Sequence, residues 1–237
     1  MSYKGLKINN LYTDMNNSLK LLLDNNLICY YNAIKIANND LYEELFWQNH
    51  ISERKNCERH FNSLEQYFFF LENSSYNCIL FDGSIIRCSY KFSTKSKSLE
   101  SHNLNWWPSP ICKDISEIFQ SSYNLSDYIK EHLENNPYKN INMRTPIRFD
   151  YDIKNVSDNH PKSHMHMQNS ECRIFVDRPL CFNKFIKFIF KNFYYKKYIQ
   201  YDFWENLDEL KIGDISIPQI DNKEFLAFTT HKNSNTY

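Results

Sequence analysis

Glycine is nearly missing from this chain: there are three in 237 residues, at Gly5, Gly83 and Gly213. Dinucleotide fingerprints and phosphate loops place several glycines close together so that backbone can approach a phosphate, and neither can be written here. The seven cysteines, at 29, 57, 78, 88, 112, 172 and 181, are odd in number and show no CxxC spacing. That argues against a disulfide framework and predicts a reduced, cytoplasmic protein whose cysteines are mostly small core residues. Long apolar runs are lacking, and the start MSYKGLKINN has no signal-peptide core, so no membrane partner is expected. Charge of one sign is lacking as well. The 28 basic and 28 acidic residues cancel, which leaves only local basic patches to attract nucleic acid.

What is abundant is aromatic: 18 Phe and 17 Tyr, enough for one sizeable core in a single domain. Apolar spacing divides the chain into a helical amino-terminal part (1–66), a sheet with its covering helix (67–198) and a tail (199–237). Leu11, Met15, Leu19, Leu22 and Leu23 predict an amphipathic helix over 11–24. Ile36, Ala37, Leu41, Leu45 and Phe46 predict a second short helix within 28–50, capped by Asn39 or Asp40, with Phe46 and Trp47 in the core. Arg54, Lys55, Arg59 and His60 read as a solvated face rather than a nucleic-acid contact. Strands are expected from Tyr67 onward. In CILFDGSIIRCSYKF (78–92) the Asp82-Gly83 step marks a hairpin. Ile86, Cys88, Tyr90 and Phe92 then share one face, against Arg87, Ser89 and Lys91, as in an antiparallel sheet packed on one side. A strand over 98–107 ends at Pro108 and Pro110, and a helix spans 115–134 with Ser126 as an internal cap. Phe182, Phe185, Ile186, Ile189, Phe190 and Phe193 predict the main covering helix over 182–198. A short helix at 203–210 and a strand at 224–229 complete an α+β fold, with a mostly antiparallel sheet and helices packed on one face.

The candidate site lies in RFDYDIKNVSDNHPKSHMHMQNSECR, residues 148–173. Alternation puts Arg148, Asp150 and Asp152 on one face of a first strand, and His164, His166 and Gln168 on one face of a second. If the strands pair, carboxylates, an arginine and imidazoles meet. Three readings fit: a divalent metal held by His164 and His166 with Asp150 or His160; a histidine acting as acid or base, oriented by Asp150, with Arg148 or Arg173 stabilising phosphoryl charge; or a structural His-Asp pair bridging two strands. His102, Asp82 and Arg87 are outer candidates. Cys172 beside Arg173 is a candidate nucleophile, although a buried structural cysteine is the commoner case.

FDGSIIRCSY, SHNLNWWPSP, RFDYD, HPKSHMHM, CRI and FIKFIFKNFY, in that order, resemble a bacterial family catalogued only as a domain of unknown function, over about residues 78–195. The resemblance implies little chemistry, because that family carries no assigned activity. Separately, an RxD strand followed by an HxH strand looks like a pattern in small proteins of toxin and phage-defence loci, an analogy only. The expectation is a phosphodiesterase or nuclease, a toxin or defence effector, acting on nucleic acid through Asp150, His164, His166, Arg148 and Arg173. The alternative is a non-catalytic subunit whose exposed Trp106 and Trp107 dock on a protein partner encoded nearby.

Overall fold

Period-two alternation through most of the chain builds one large sheet, and two helical stripes cover its apolar side. The computed structural model describes residues 8–47, 64–111, 113–116, 118, 124–135, 139, 141–157, 160–214, 225–226 and 228. In chain order the elements are α1 (Ile8–Asp24), β1 (Ile28–Tyr31), β2 (Ile34–Asn38), β3 (Tyr42–Trp47), α2 (Leu64–Glu72), β4 (Cys78–Leu80), β5 (Ile85–Ser93), β6 (Leu99–Trp107), α3 (Leu125–Asn135), β7 (Ile147–Asp152), β8 (Ser163–Met167), β9 (Asn169–Val176), α4 (Phe182–Phe193), α5 (Tyr195–Tyr198), a 3-10 turn (Asp202–Asn206) and β10 (Phe225–Leu226). The ten-stranded sheet runs β1-β4-β5-β6-β7-β8-β9-β10. The nine residues of β5 are long enough to pair β4 at one end and β3 at the other, and β2 pairs β3. Neighbours are antiparallel except β9 and β10, which are parallel. This is a single α+β domain. No helix among the described residues is long and apolar enough to cross a membrane.

Two cores result. On one face, Leu11, Met15, Leu19 and Leu22 of α1 join Phe182, Phe185, Ile186, Ile189 and Phe190 of α4 over Ile86, Cys88, Tyr90, Leu104 and Phe149. The ring of Phe149 meets Phe185 edge-on at 5.9 Å, which seats the helix over β7. On the other face a smaller cluster gathers Tyr67 and Phe70 of α2, Ile129 of α3, and Ile79, Ile85 and Trp107, so helices also cover one end of the second face. Arg87 on that face is buried with its guanidinium 3.7 Å from the Phe70 ring, and Nε donates to the Ser75 carbonyl. It is a packing group away from the candidate site.

Several elements differ from the sequence reading. Residues 28–47 hold strands β1 to β3 where a helix was expected, so the sheet begins at Ile28. Ile34 and Ile36 alternate with Lys35 and Ala37, and cross-strand pairing to Trp47 and Leu45 settles the period as two. Asn39 does cap, but it caps a turn: its Oδ1 accepts the amides of Leu41 and Tyr42 at 2.9 and 2.8 Å, closing the β2–β3 hairpin. Residues 64–72, where strands were expected to begin, form α2 instead. The third helix starts only at Leu125, with the Asn124 carboxamide accepting the Ser126 amide at 2.8 Å; the Ser126 hydroxyl donates to Glu72. Trp106 and Trp107 are 1% and 3% exposed on opposite faces, so they are core and not a docking surface. Cys29, Cys78, Cys88, Cys172 and Cys181 are free thiols. The basic cluster Arg54, Lys55, Arg59 and His60, together with Cys57 and Cys112, lies outside the described residues.

The covering helix breaks at Tyr194, which leaves helical geometry at φ −132°. Its buried hydroxyl donates toward Asp82 Oδ2 and lies within 2.9 Å of Ser84 Oγ, in the β4–β5 turn. Asp82 is also ion-paired to Arg144 at 2.9 Å, and Gly83 takes φ +84° there. Asp82 is therefore the anchor of this hairpin. Phe185→Ala, which empties a fully buried ring position beneath the sheet, is expected to lower unfolding free energy by about 3–5 kcal/mol in chemical denaturation. An unchanged denaturation midpoint would contradict the packing described.

Candidate functional site

The β7–β8 ladder sets Arg148 opposite His166 and Asp150 opposite His164. On the other side of β7, Asn105 of β6 faces Arg148 and Asn103 faces Asp150. Asp150 is the hub. Arg148 Nε donates to its Oδ2 at 2.8 Å, and His166 Nε2 lies 3.2 Å from the same oxygen. Asn103 Nδ2 donates to Oδ1 at 2.7 Å and is itself fixed by the carboxamide of Asn105. Burial alone would push the Asp150 carboxyl up; the His166 hydrogen bond and the Arg148 charge outweigh it and hold the carboxyl well below the usual carboxylate range.

His164 is arranged differently. Its Nδ1 lies 2.7 Å from the Pro161 carbonyl, which only accepts, so the Nδ1 position carries the ring proton. In the neutral ring Nε2 is then a bare lone pair. It points at Asp150 Oδ2 from 3.9 Å, acceptor facing acceptor, and it is buried without a hydrogen-bond donor among the described residues. Burial outweighs the pull of Asp150 and pushes the imidazole down to about 4, so the ring stays neutral at pH 7.

Donor atoms of Asp150, His164 and His166 all lie within 4.8 Å of one another, and two imidazoles with one carboxylate suit a first-row divalent ion. With bonds of about 2.0–2.1 Å such an ion needs its donors about 3–3.5 Å apart, so the set would draw in on binding. His164 is the better fit, because Pro161 orients its second nitrogen as outer partners of metal-bound histidines do. As a general base the same ring is weak, since burial that pushes it down to about 4 leaves it little affinity for a proton at neutral pH.

Asp150, Arg148 and Asn103 line an open cleft of about 360 Å³, together with Ser89, Lys91 and His160. The two histidines sit beneath it, His164 at 0% and His166 at 2% exposure, although their alternation with the apolar Met165 and Met167 predicts a solvent-facing row. The loop after β7 accounts for the difference: it turns back through the Ser157–His160 bridge and brings the His160 ring 4.7 Å from that of His164.

The other candidates do not converge. Arg173 on β9 is exposed, and the arginine that reaches Asp150 is Arg148. Gln168 leaves the row at the β8–β9 turn with φ +67°. Asp152 accepts the Lys154 amide and the Asn155 carboxamide, closing the loop. Cys172 is half-buried on β9, and its backbone amide is held by Asn169. His102 lies on the core face, where Nε2 accepts the Leu180 amide and the ring stacks on Tyr151. Sequence reading missed Asn103 and Asn105; their place opposite Asp150 and Arg148 required the β6–β7 register.

An α+β protein with a buried His-His-Asp cluster under an open cleft is the class so defined. The chain belongs to the family described as "Uncharacterized conserved protein (DUF2290)", whose model matches residues 27–229. That match takes in β1 to β3, well before the FDGSIIRCSY motif that begins at Phe81. No curated protein and no solved structure matches the chain.

Acid sensitivity follows from the site and its neighbour. Burial pushes His102 and His164 both down to about 4. Their folded values lie below the unfolded one near 6.5, so at intermediate pH the unfolded chain binds protons that the folded chain refuses. This stability is complete above about pH 6.5 and lost as pH falls toward 4, whereas the Asp150 contribution is lost only below about pH 4. Urea denaturation in the presence of chelator is expected to show a loss of about 2 kcal/mol per histidine between pH 7 and pH 5. Equal stability at both values would contradict the neutral, buried rings.

Proposed function

We propose that this protein is a divalent-metal-dependent phosphodiester hydrolase, the reaction class of a phosphodiesterase or nuclease, with Asp150, His164 and His166 as metal ligands. The observation that carries the reading is the buried lone pair of His164 Nε2, fixed by Pro161 and aimed at the Asp150 carboxylate. A bound ion would supply Lewis acidity toward a phosphoryl oxygen. The remaining work falls to side chains. Asn103, itself fixed by Asn105, holds Asp150 Oδ1, and His166, whose Nε2 lies 3.2 Å from Asp150 Oδ2, would turn that nitrogen to the ion as a second imidazole ligand. Arg148, lining the cleft beside Asp150, would bring its positive charge toward a bound phosphoryl group. A toxin or phage-defence effector is the cellular role we propose, on the strand pattern alone.

A second reading, a non-catalytic subunit, draws on a different surface. A groove of about 350 Å³ between Leu64, Tyr67, Pro108, Ile141 and Met143 is largely apolar, and Met143 is 93% exposed.

Purified protein is expected to bind one equivalent of Mn²⁺ or Zn²⁺ by calorimetry and to hydrolyse bis(4-nitrophenyl) phosphate in a chelator-sensitive manner. His164→Ala, His166→Ala and Asp150→Asn should each lose metal and activity, and Asn103→Ala should weaken metal binding about 10–100-fold. Wild-type metal affinity in all four variants would leave the subunit reading in its place.

A further inference from the structure

We infer that the cleft over Asp150 takes a small phosphodiester of mononucleotide size, carrying one negative charge, and turns polynucleotides away. This rests on the hydrolase reading above and decides between its two substrate classes. The volume of about 360 Å³ lies at the lower end of small-molecule pockets, which span about 300–1,000 Å³.

Charge makes the stronger case. The described lining carries three carboxylates, Glu44, Asp150 and Asp152, against two permanent cations, Lys91 and Arg148. Both cations are already engaged: Lys91 Nζ lies 2.7 Å from Glu44 Oε1, and Arg148 Nε lies 2.8 Å from Asp150 Oδ2. Just beyond the cleft the pattern repeats, with Lys154 held 2.8 Å from Glu100. Proteins that track a nucleic-acid backbone offer it a row of cations without carboxylate partners, because each phosphate brings its own charge. Here each cation comes with a carboxylate that would face the next phosphate of a polymer. With a divalent ion seated on the cluster, the lining goes from one net negative to one net positive charge, which matches a single diester. Neutral donors and acceptors on the same wall, Ser89, Ser101 and Asn103, suit the sugar or base of such a molecule.

The reaction balances without another reactant. A water oxygen forms a bond to phosphorus as the bond from phosphorus to the leaving oxygen breaks. One water proton ends on the leaving alcohol, and the other is carried by the phosphate monoester or released from it.

The test compares metal-loaded protein on thymidine 5′-(4-nitrophenyl) phosphate and on a short single-stranded RNA or DNA oligonucleotide, with metal stoichiometry measured in parallel. The expected result is turnover of the nucleotide ester, with oligonucleotides neither cut nor inhibitory. In Glu44→Gln, which releases Lys91, oligonucleotide binding by fluorescence anisotropy should tighten several-fold and become more salt-dependent. Bound metal with efficient cleavage of the oligonucleotide would overturn the size and charge inference while leaving the hydrolase reading intact. Bound metal with neither substrate cleaved would also overturn it, as would unchanged oligonucleotide affinity in Glu44→Gln. A wild-type protein that binds no metal would overturn both.

Discussion

A slip of one residue between β7 and β8 would carry both histidines to the face occupied by Met165 and leave Asp150 without imidazoles. The register Asp150↔His164 and Arg148↔His166 is therefore the constraint on which the chemistry depends. It is held from below by packing rather than by the polar groups themselves. Phe149 and Tyr151, which alternate with Asp150, are buried on the helix side, and Phe149 is locked by the rings of Phe185 and Phe188. The hydrophobic face fixes the strand, and the strand then delivers its polar side chains as a row.

That row is costly to bury. An ionised carboxylate with little exposure needs compensation, and Asp150 receives it from Arg148, His166 and Asn103 at once. His164 stands outside this compensation. Its one hydrogen bond, to Pro161, uses the nitrogen turned away from Asp150 and leaves the other as an acceptor in a buried place. The opposite tautomer would set two acceptors face to face across the 2.7 Å Pro161 contact, and at 3.9 Å its Nε2–H would lie too far from Asp150 to make a hydrogen bond in return. The Pro161 contact thus leaves Nε2 bare beside a carboxylate, and on our proposal the group that meets it is a metal ion, an electrophile that two imidazoles and a carboxylate suit.

Much of this was legible in residues alone. The Asp82-Gly83 hairpin, the proline end of β6, the stripe of α4 and the shared face of Asp150, His164 and His166 all follow from spacing. What failed did so for identifiable reasons. In residues 28–47 apolar side chains fall at neighbouring positions, as in ICYY and LFW, which fits period two and period 3.6 alike, and Asn39 caps a turn as readily as a helix. Tyr194 breaks the covering helix because of an acceptor 112 positions away in sequence, at Asp82. The burial of the histidines depends on the return of the loop through His160 and Pro161, and the roles of Asn103 and Asn105 on a strand pairing that no local pattern encodes.

The central claim is that His164 offers a bare Nε2 to a metal ion. Long-range proton–nitrogen correlation spectra of histidine-labelled protein at neutral pH, recorded before and after addition of Zn²⁺, test it most directly. The account predicts a neutral His164 ring protonated on Nδ1 in the metal-free protein, and stoichiometric shifts of the Nε2 signals of His164 and His166 on titration with the ion. A His164 ring protonated on Nε2, or ring signals that do not respond to the ion, would contradict it.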